Sequence, residues 1–162
     1  MLMKFIVHFV AAVMVLLPAC LVLTIETLAG EMGGRAEYVG GTVKTLRERS
    51  EGRIQTTDAV FLLFRTRKGT MRVPYERINL LEYGQKVDRR VGLAIVISPM
   101  FLLSKERKHF LTIGYADEGG RQQALVFQVD KDDVRSVLVS LEARTGRKIQ
   151  FQDEEARKAG KG

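Results

Sequence analysis

The sequence predicts a mainly β domain with some α: a small barrel of about seven antiparallel strands, capped by a C-terminal helix and preceded by an N-terminal signal or anchor helix. Three observations predict it. Between Ala36 and Val129, short runs rich in apolar, aromatic and β-branched residues are separated by turn residues. After Asp130 the period changes, and Val134, Val137, Leu138 and Leu141 fall at helical spacing. Ahead of both, Phe5 to Ile25 is an almost unbroken apolar run.

A chain of 162 residues suits one ordinary domain. With 46% hydrophobic and 28% charged residues and only 3 prolines, it is neither disordered nor collagenous. One Cys excludes a disulfide framework, and one Cys with two His excludes the usual four-ligand zinc clusters. Neither a metal nor a cofactor is expected. The 26 Lys and Arg against 19 Asp and Glu give a net charge of +7, which favours acidic partners.

Residues 1–29 read as an export segment. Lys4 gives a positive start, and no further charge appears until Glu26. The flanking charges orient the N-terminus inward and carry the remainder across the inner membrane, into the periplasm or envelope. Three outcomes stand open. Thr27 and Ala29 suit cleavage after Ala29; Leu17-Pro18-Ala19-Cys20 resembles a lipobox; and the run is long enough to stay as an uncleaved anchor. Cleavage would leave a domain without Cys, which suits an oxidising compartment.

Each later element has its own signal. Ala36–Leu46 reads as a first strand, with Gly40-Gly41 marking a bulge or close approach. Ser50-Glu51-Gly52 is a turn before a second strand at Arg53–Thr57. Val60–Thr66 is a third, and Arg67-Lys68-Gly69 turns into a fourth at Thr70–Val73. Pro74, with no N–H for a ladder, stops it. Ile78–Tyr83, His109–Tyr115 and Gln122–Val129 follow, the last two joined at Asp117-Glu118-Gly119-Gly120. The helix then has Asp130, Asp132 and Asp133 at its start, Arg144, Arg147 and Lys148 at its end, and Gly146 as its stop. It should close one opening of the sheet. Ile149–Phe151 adds a short edge, and residues 152–162 read as a charged, disordered tail.

On these residues the chain resembles bacterial pleckstrin-homology-like (PH-like) and GRAM-like domains. Gly52-Arg53-Ile54-Gln55-Thr56-Thr57-Asp58, then Phe61–Phe64, then Val73-Pro74-Tyr75-Glu76-Arg77-Ile78 is similar to the turn, strand and Ile-Pro-Tyr run of that superfamily. The chain is also similar to small exported proteins of this shape that have no assigned activity. The resemblance implies a PH-like split β-barrel over residues 36–151. Its motifs are structural and imply fold rather than activity. In phosphoinositide-binding members, spaced cations mark a headgroup site in the first loop. Lys44, Arg47 and Arg49 match that pattern loosely, with Glu48 and Glu51 interrupting it.

One insertion, residues 85–108, does not belong to a plain barrel. Val91–Leu103 holds ten apolar side chains in thirteen positions, among them Ile95, Ile97, Phe101 and Leu102. Lys86, Arg89 and Arg90 precede it, and Lys105, Arg107 and Lys108 follow it. Thirteen helical residues reach about 20 Å, too short to span a bilayer core of about 30 Å. The composition suits an interfacial loop, with an apolar tip in lipid and basic stems on anionic headgroups. The same residues would serve an interface with an envelope protein, self-association through Val91–Leu103, or packing on the barrel itself.

Few residues suggest chemistry. His109 is the only His beyond the export segment. A catalytic reading would need it to converge with Glu82 and Lys86; a surface strand position explains it otherwise. Gly40-Gly41-Thr42 lacks the Lys and spacing of a phosphate-binding loop. Export disfavours nucleic-acid binding. The sequence therefore predicts a non-catalytic binding module of the envelope, meeting an anionic membrane surface or an envelope protein through residues 86–108.

Overall fold

The computed structural model describes residues 33–85, the backbone of 96–97, and residues 108–161. Residues 1–29 and most of the insertion lie outside this set. Strands are β1 (Gly33–Gly41), β2 (Ser50–Gln55), β3 (Phe61–Thr66), β4 (Gly69–Pro74), β5 (Ile78–Gly84), β6 (Val96–Ile97), β7 (His109–Ala116), β8 (Gln122–Val129) and β9 (Gln150–Phe151). Helices are α1 (Val134–Thr145) and α2 (Glu154–Lys161), and Tyr75–Arg77 forms a single 3₁₀ turn. The strands make one sheet in the order β4-β3-β2-β1-β8-β7-β5-β9, with β6 set against β1.

β1 to β4 form an antiparallel meander, and β5, β7 and β8 a second. Pairing of β1 with β8 joins them, with a register shift between Tyr38 and Gly40. That shift is the bulge expected at Gly40-Gly41. Thr42 takes over where the strand ends: its N–H donates to the Ala124 carbonyl at 3.0 Å, and its hydroxyl accepts from Ala124 N–H at 2.9 Å. The chain therefore leaves the sheet at residue 42, and the expected continuation to Leu46 is a loop.

The sheet is not closed; among the described residues no ladder joins β4 to β5. The physical reason lies in the groups at the seam. Pro74 ends β4 without an N–H to offer, and the 3₁₀ turn redirects the chain. The outer side of β5 is already engaged. Arg147 Nε donates to the Ile78 carbonyl at 2.5 Å, and β9 pairs in parallel at Glu82 and Tyr83.

α1 spans this opening. Val134, Val137, Leu138 and Leu141 are buried against Ile54, Phe64, Tyr75 and Leu81 in the main cluster. Each contributes roughly 1.5–3 kcal/mol before entropy. Gly146 at φ 66° ends the helix, donating its N–H to the Glu142 carbonyl at 2.9 Å. Arg144 then ties the helix to the β2–β3 loop, donating to the carbonyls of Thr56 and Thr57 at 3.1 and 3.3 Å. The two arginines at the helix end thus fasten both halves of the sheet. On the opposite face, Val39, Phe110 and Val126 form a smaller buried cluster.

Residues 154–161, expected as part of a fraying tail, are helix α2. Asp153 Oδ1 accepts from Ala156 N–H at 2.6 Å and starts it. Ala156 and Gly160, one turn apart, are its buried residues. A Cβ at Gly160 would lie 2.8 Å from Phe151 and 3.2 Å from Tyr83. Small side chains, not a broad apolar stripe, let this helix dock.

Candidate functional site

The bulge in β1 positions the candidate surface. β2 ends its pairing with β1 at Tyr38 opposite Ser50. Beyond that point β1 has a vacant side, and β6 takes it, with Ile97 opposite Gly40 and Val96 opposite Gly41. Two residues of the apolar insertion are thereby hydrogen-bonded to the scaffold next to the β1–β2 loop. Gly41, at φ 155°, is required here. A Cβ would overlap the Ala124 carbonyl and sit 2.8 Å from the Tyr38 hydroxyl.

The β1–β2 loop carries the other predicted cations. A cleft of about 400 Å³ is lined by Tyr38, Gly40, Gly41, Thr42, Val43, Lys44, Leu46 and Glu48. The Tyr38 hydroxyl donates to the Val43 carbonyl at 3.4 Å, and burial pushes its pKa up to about 12. Of the three suggested headgroup cations, Lys44 alone lines this cleft. Arg49 is in the left-handed region at φ 63° and lies 3.7 Å from the Glu37 carboxylate. The Arg47 carbonyl accepts from the Ser50 hydroxyl and N–H, which closes the turn.

Within the insertion, Lys86, Arg89, Arg90, Ile95, Phe101, Leu102, Lys105 and Arg107 lie outside the described residues. Ile97 is placed by its backbone in β6, and Lys108 stands half-exposed at the root of β7.

The catalytic alternative needed Glu82 and His109 to converge. Glu82 pairs with Thr112, whereas His109 follows the alternate face with Leu111 and Tyr83. The two side chains point to opposite faces of the sheet. Glu82 Oε1 accepts from Gln152 Nε2 at 3.0 Å. His109 Nδ1 lies 2.5 Å from the Tyr83 hydroxyl, and the two rings stack with centroids 6.1 Å apart. Burial holds the Tyr83 phenol up at about 12, so it donates to a neutral imidazole. Burial also lowers the His109 pKa, against the opposing pull of Asp130. Each group has a structural partner. Among the described residues no cluster of three or more His, Cys, Asp or Glu would hold a metal ion. Nor is any helix among them long and apolar enough to cross a membrane.

Sequence reading missed a row of arginines on the outer face of the first meander. Arg35 on β1 is opposite Arg53 on β2, and Arg53 is opposite Arg65 on β3. Arg65 in turn faces Thr70 on the β4 edge. Alternation alone shows that each points away from the core, but only the register aligns them.

No family model matches this chain, and no curated protein matches it.

Proposed function

We propose that the domain is a non-catalytic binding module of the cell envelope, exported by its N-terminal segment, that meets an anionic membrane surface through residues 86–108. In this reading the domain is a PH-like split barrel, and the sheet order with α1 across its opening supports that. The observation that carries the functional reading is the β6 ladder. It sets the backbone of Val96 and Ile97 against β1 beside the loop that bears Lys44, which supports a surface where apolar and cationic groups act together. An apolar tip contributes about 0.8 kcal/mol per buried methylene, and each nearby cation about 1 kcal/mol on anionic lipid. Together these suffice for reversible peripheral binding.

Liposome flotation tests it, using residues 30–162 with neutral and anionic vesicles beside a variant carrying Ile95→Asp and Phe101→Asp. The expected result is flotation on anionic vesicles, weakened by salt and lost in the variant. Well-folded protein that stays at the bottom of the gradient refutes membrane contact and moves the interface to an envelope protein.

A further inference from the structure

We infer that β4 is a docking edge for an extended acidic peptide of a partner protein, which adds as a further strand along Thr70 and Arg72 and sets an apolar side chain in the cleft beside Pro74. This contact is independent of residues 86–108 and of a membrane. Backbone hydrogen bonds define the edge. Tyr75 donates its N–H to the Val60 carbonyl at 2.9 Å, which makes those two a bonded pair. The register runs on unbroken from Phe61 opposite Pro74 to Thr66 opposite Gly69. Bonded and non-bonded pairs alternate in an antiparallel ladder, so Val73, Met71 and Gly69 bond to β3. Thr70 and Arg72 turn their N–H and C=O groups outward, and Pro74 its C=O. Pro74 thus falls where β3 requires no N–H. These outward groups form a template that an extended chain can complete. Thr70 and Arg72 are exposed, and among the described residues no strand lies beyond them.

The edge runs into a cleft of about 460 Å³. Arg72 and Pro74 are part of its lining, with Val60, Phe61 and Tyr115 as apolar neighbours. Val60 is 55% exposed, so an apolar side chain lodged there would remove surface that the domain alone leaves to water.

Charge selects the peptide. Arg67 and Lys68 form the exposed turn at one end of β4, and Arg72 shares its outer face with Arg65. Asp58 is an acid that Arg72 feels, and Arg144 shares it. Glu76, Asp117 and Glu118 gather at the other end, around the cleft, where Asp117 is already bonded to Arg121 at 2.9 Å. Acidic side chains of the peptide therefore belong toward the Arg67-Lys68 turn, and its apolar side chain in the cleft. Side chains alternate along a strand, so acids at every second position all stand on the side of Arg65 and Arg72. A second copy of the chain would bring the same cations to this edge, which favours an acidic partner over self-pairing.

The test uses the full chain in zwitterionic detergent micelles, which accommodate the N-terminal apolar run. The probe is a fluorescent peptide of alternating Glu and Val that ends in Phe, followed by anisotropy. The same peptide N-methylated at its Glu residues keeps its charge but cannot complete the ladder, and should bind at least about tenfold more weakly. Thr70→Pro removes one outward N–H and no bond to β3, and should weaken binding about tenfold. Arg72→Glu should weaken it about fivefold and favour a peptide with Lys in place of Glu. Circular dichroism checks that each variant is folded, and the N-methylated peptide tests the ladder on the unaltered chain. Absence of binding, or equal binding of the N-methylated peptide, overturns the inference. So does binding unchanged in Thr70→Pro. A dimer seen by light scattering and abolished by Thr70→Pro would give the edge to a second copy and overturns it as well. Ile95→Asp with Phe101→Asp should leave peptide binding unchanged; loss there would move the peptide to the insertion and overturn the inference.

Discussion

Gly41 and Gly69 offer a matched pair that isolates one steric contact. Their backbones are nearly identical in φ, at 155° and 154°, so replacing either with Ala imposes the same dihedral strain, about 1–3 kcal/mol. Their surroundings differ completely. A Cβ at Gly69 meets nothing within 4 Å, whereas one at Gly41 overlaps the Ala124 carbonyl and crowds the Tyr38 hydroxyl. Relief requires β1 to move away from β8, which sacrifices the Thr42 bonds to Ala124 and loosens the edge that receives β6. Overpacking costs about 1–3 kcal/mol, and each lost backbone bond about 1 kcal/mol. Gly41→Ala should therefore be less stable than Gly69→Ala by about 2–5 kcal/mol. Urea unfolding followed by circular dichroism measures both variants, with equal m-values as the check on two-state behaviour. Equal destabilisation of the two would refute the close approach of β1 to β8, and with it the reason for a glycine at position 41.

Two further outcomes are expected. Arg65→Gln should stabilise the domain at low ionic strength by about 0.2–1 kcal/mol, because it removes a like charge directly opposite Arg53. The gain should fade at high salt, and its absence at low salt would argue against the register. His109 is a base whose pKa burial lowers, so the unfolded chain binds its proton more readily. Its contribution is fully present above the unfolded value of about 6.5 and is lost as pH falls below it. Thermal melts should show declining stability on acidification through that window, and His109→Gln should flatten the decline. Asp58 and Asp117, held low by backbone hydrogen bonds, lose their contribution only at lower pH, below the ordinary carboxylate value of 3.8.

Much of the fold was legible because most elements carry their own punctuation. Gln122–Val129 is bounded by a Gly-Gly turn and a run of aspartates, and the strand has those limits. Val134 opens the helical stripe, and α1 begins there. Two elements lacked such marks. β2 begins at Ser50, inside what reads as a turn, because Glu37 and Tyr38 offer pairing that a local pattern does not reveal. α2 is charged at five of its eight positions, and its buried residues are only Ala156 and Gly160. Two small residues one turn apart signal close approach only when the surface they approach is known. The candidate surface divides the same way. The insertion stood out by composition and Lys44 through the resemblance to PH-like domains, whereas the arginine row depends on strand register. Arg35, Arg53 and Arg65 are 18 and 12 residues apart in the chain, and nothing local aligns them.

The sheet has two ends of unequal character. β5 is covered, by β9 at Glu82 and Tyr83 and by Arg147 at Ile78. β4 is the other terminal strand, and no described strand lies beyond it. Two copies meeting through β4 would form a two-fold pair. Arg72 and Pro74 discourage even that first step, one by charge repulsion and the other by the missing N–H. By covering β5 at Ile78, Glu82 and Tyr83, the C-terminal segment leaves β4 as the long border with unpaired backbone groups among the described strands.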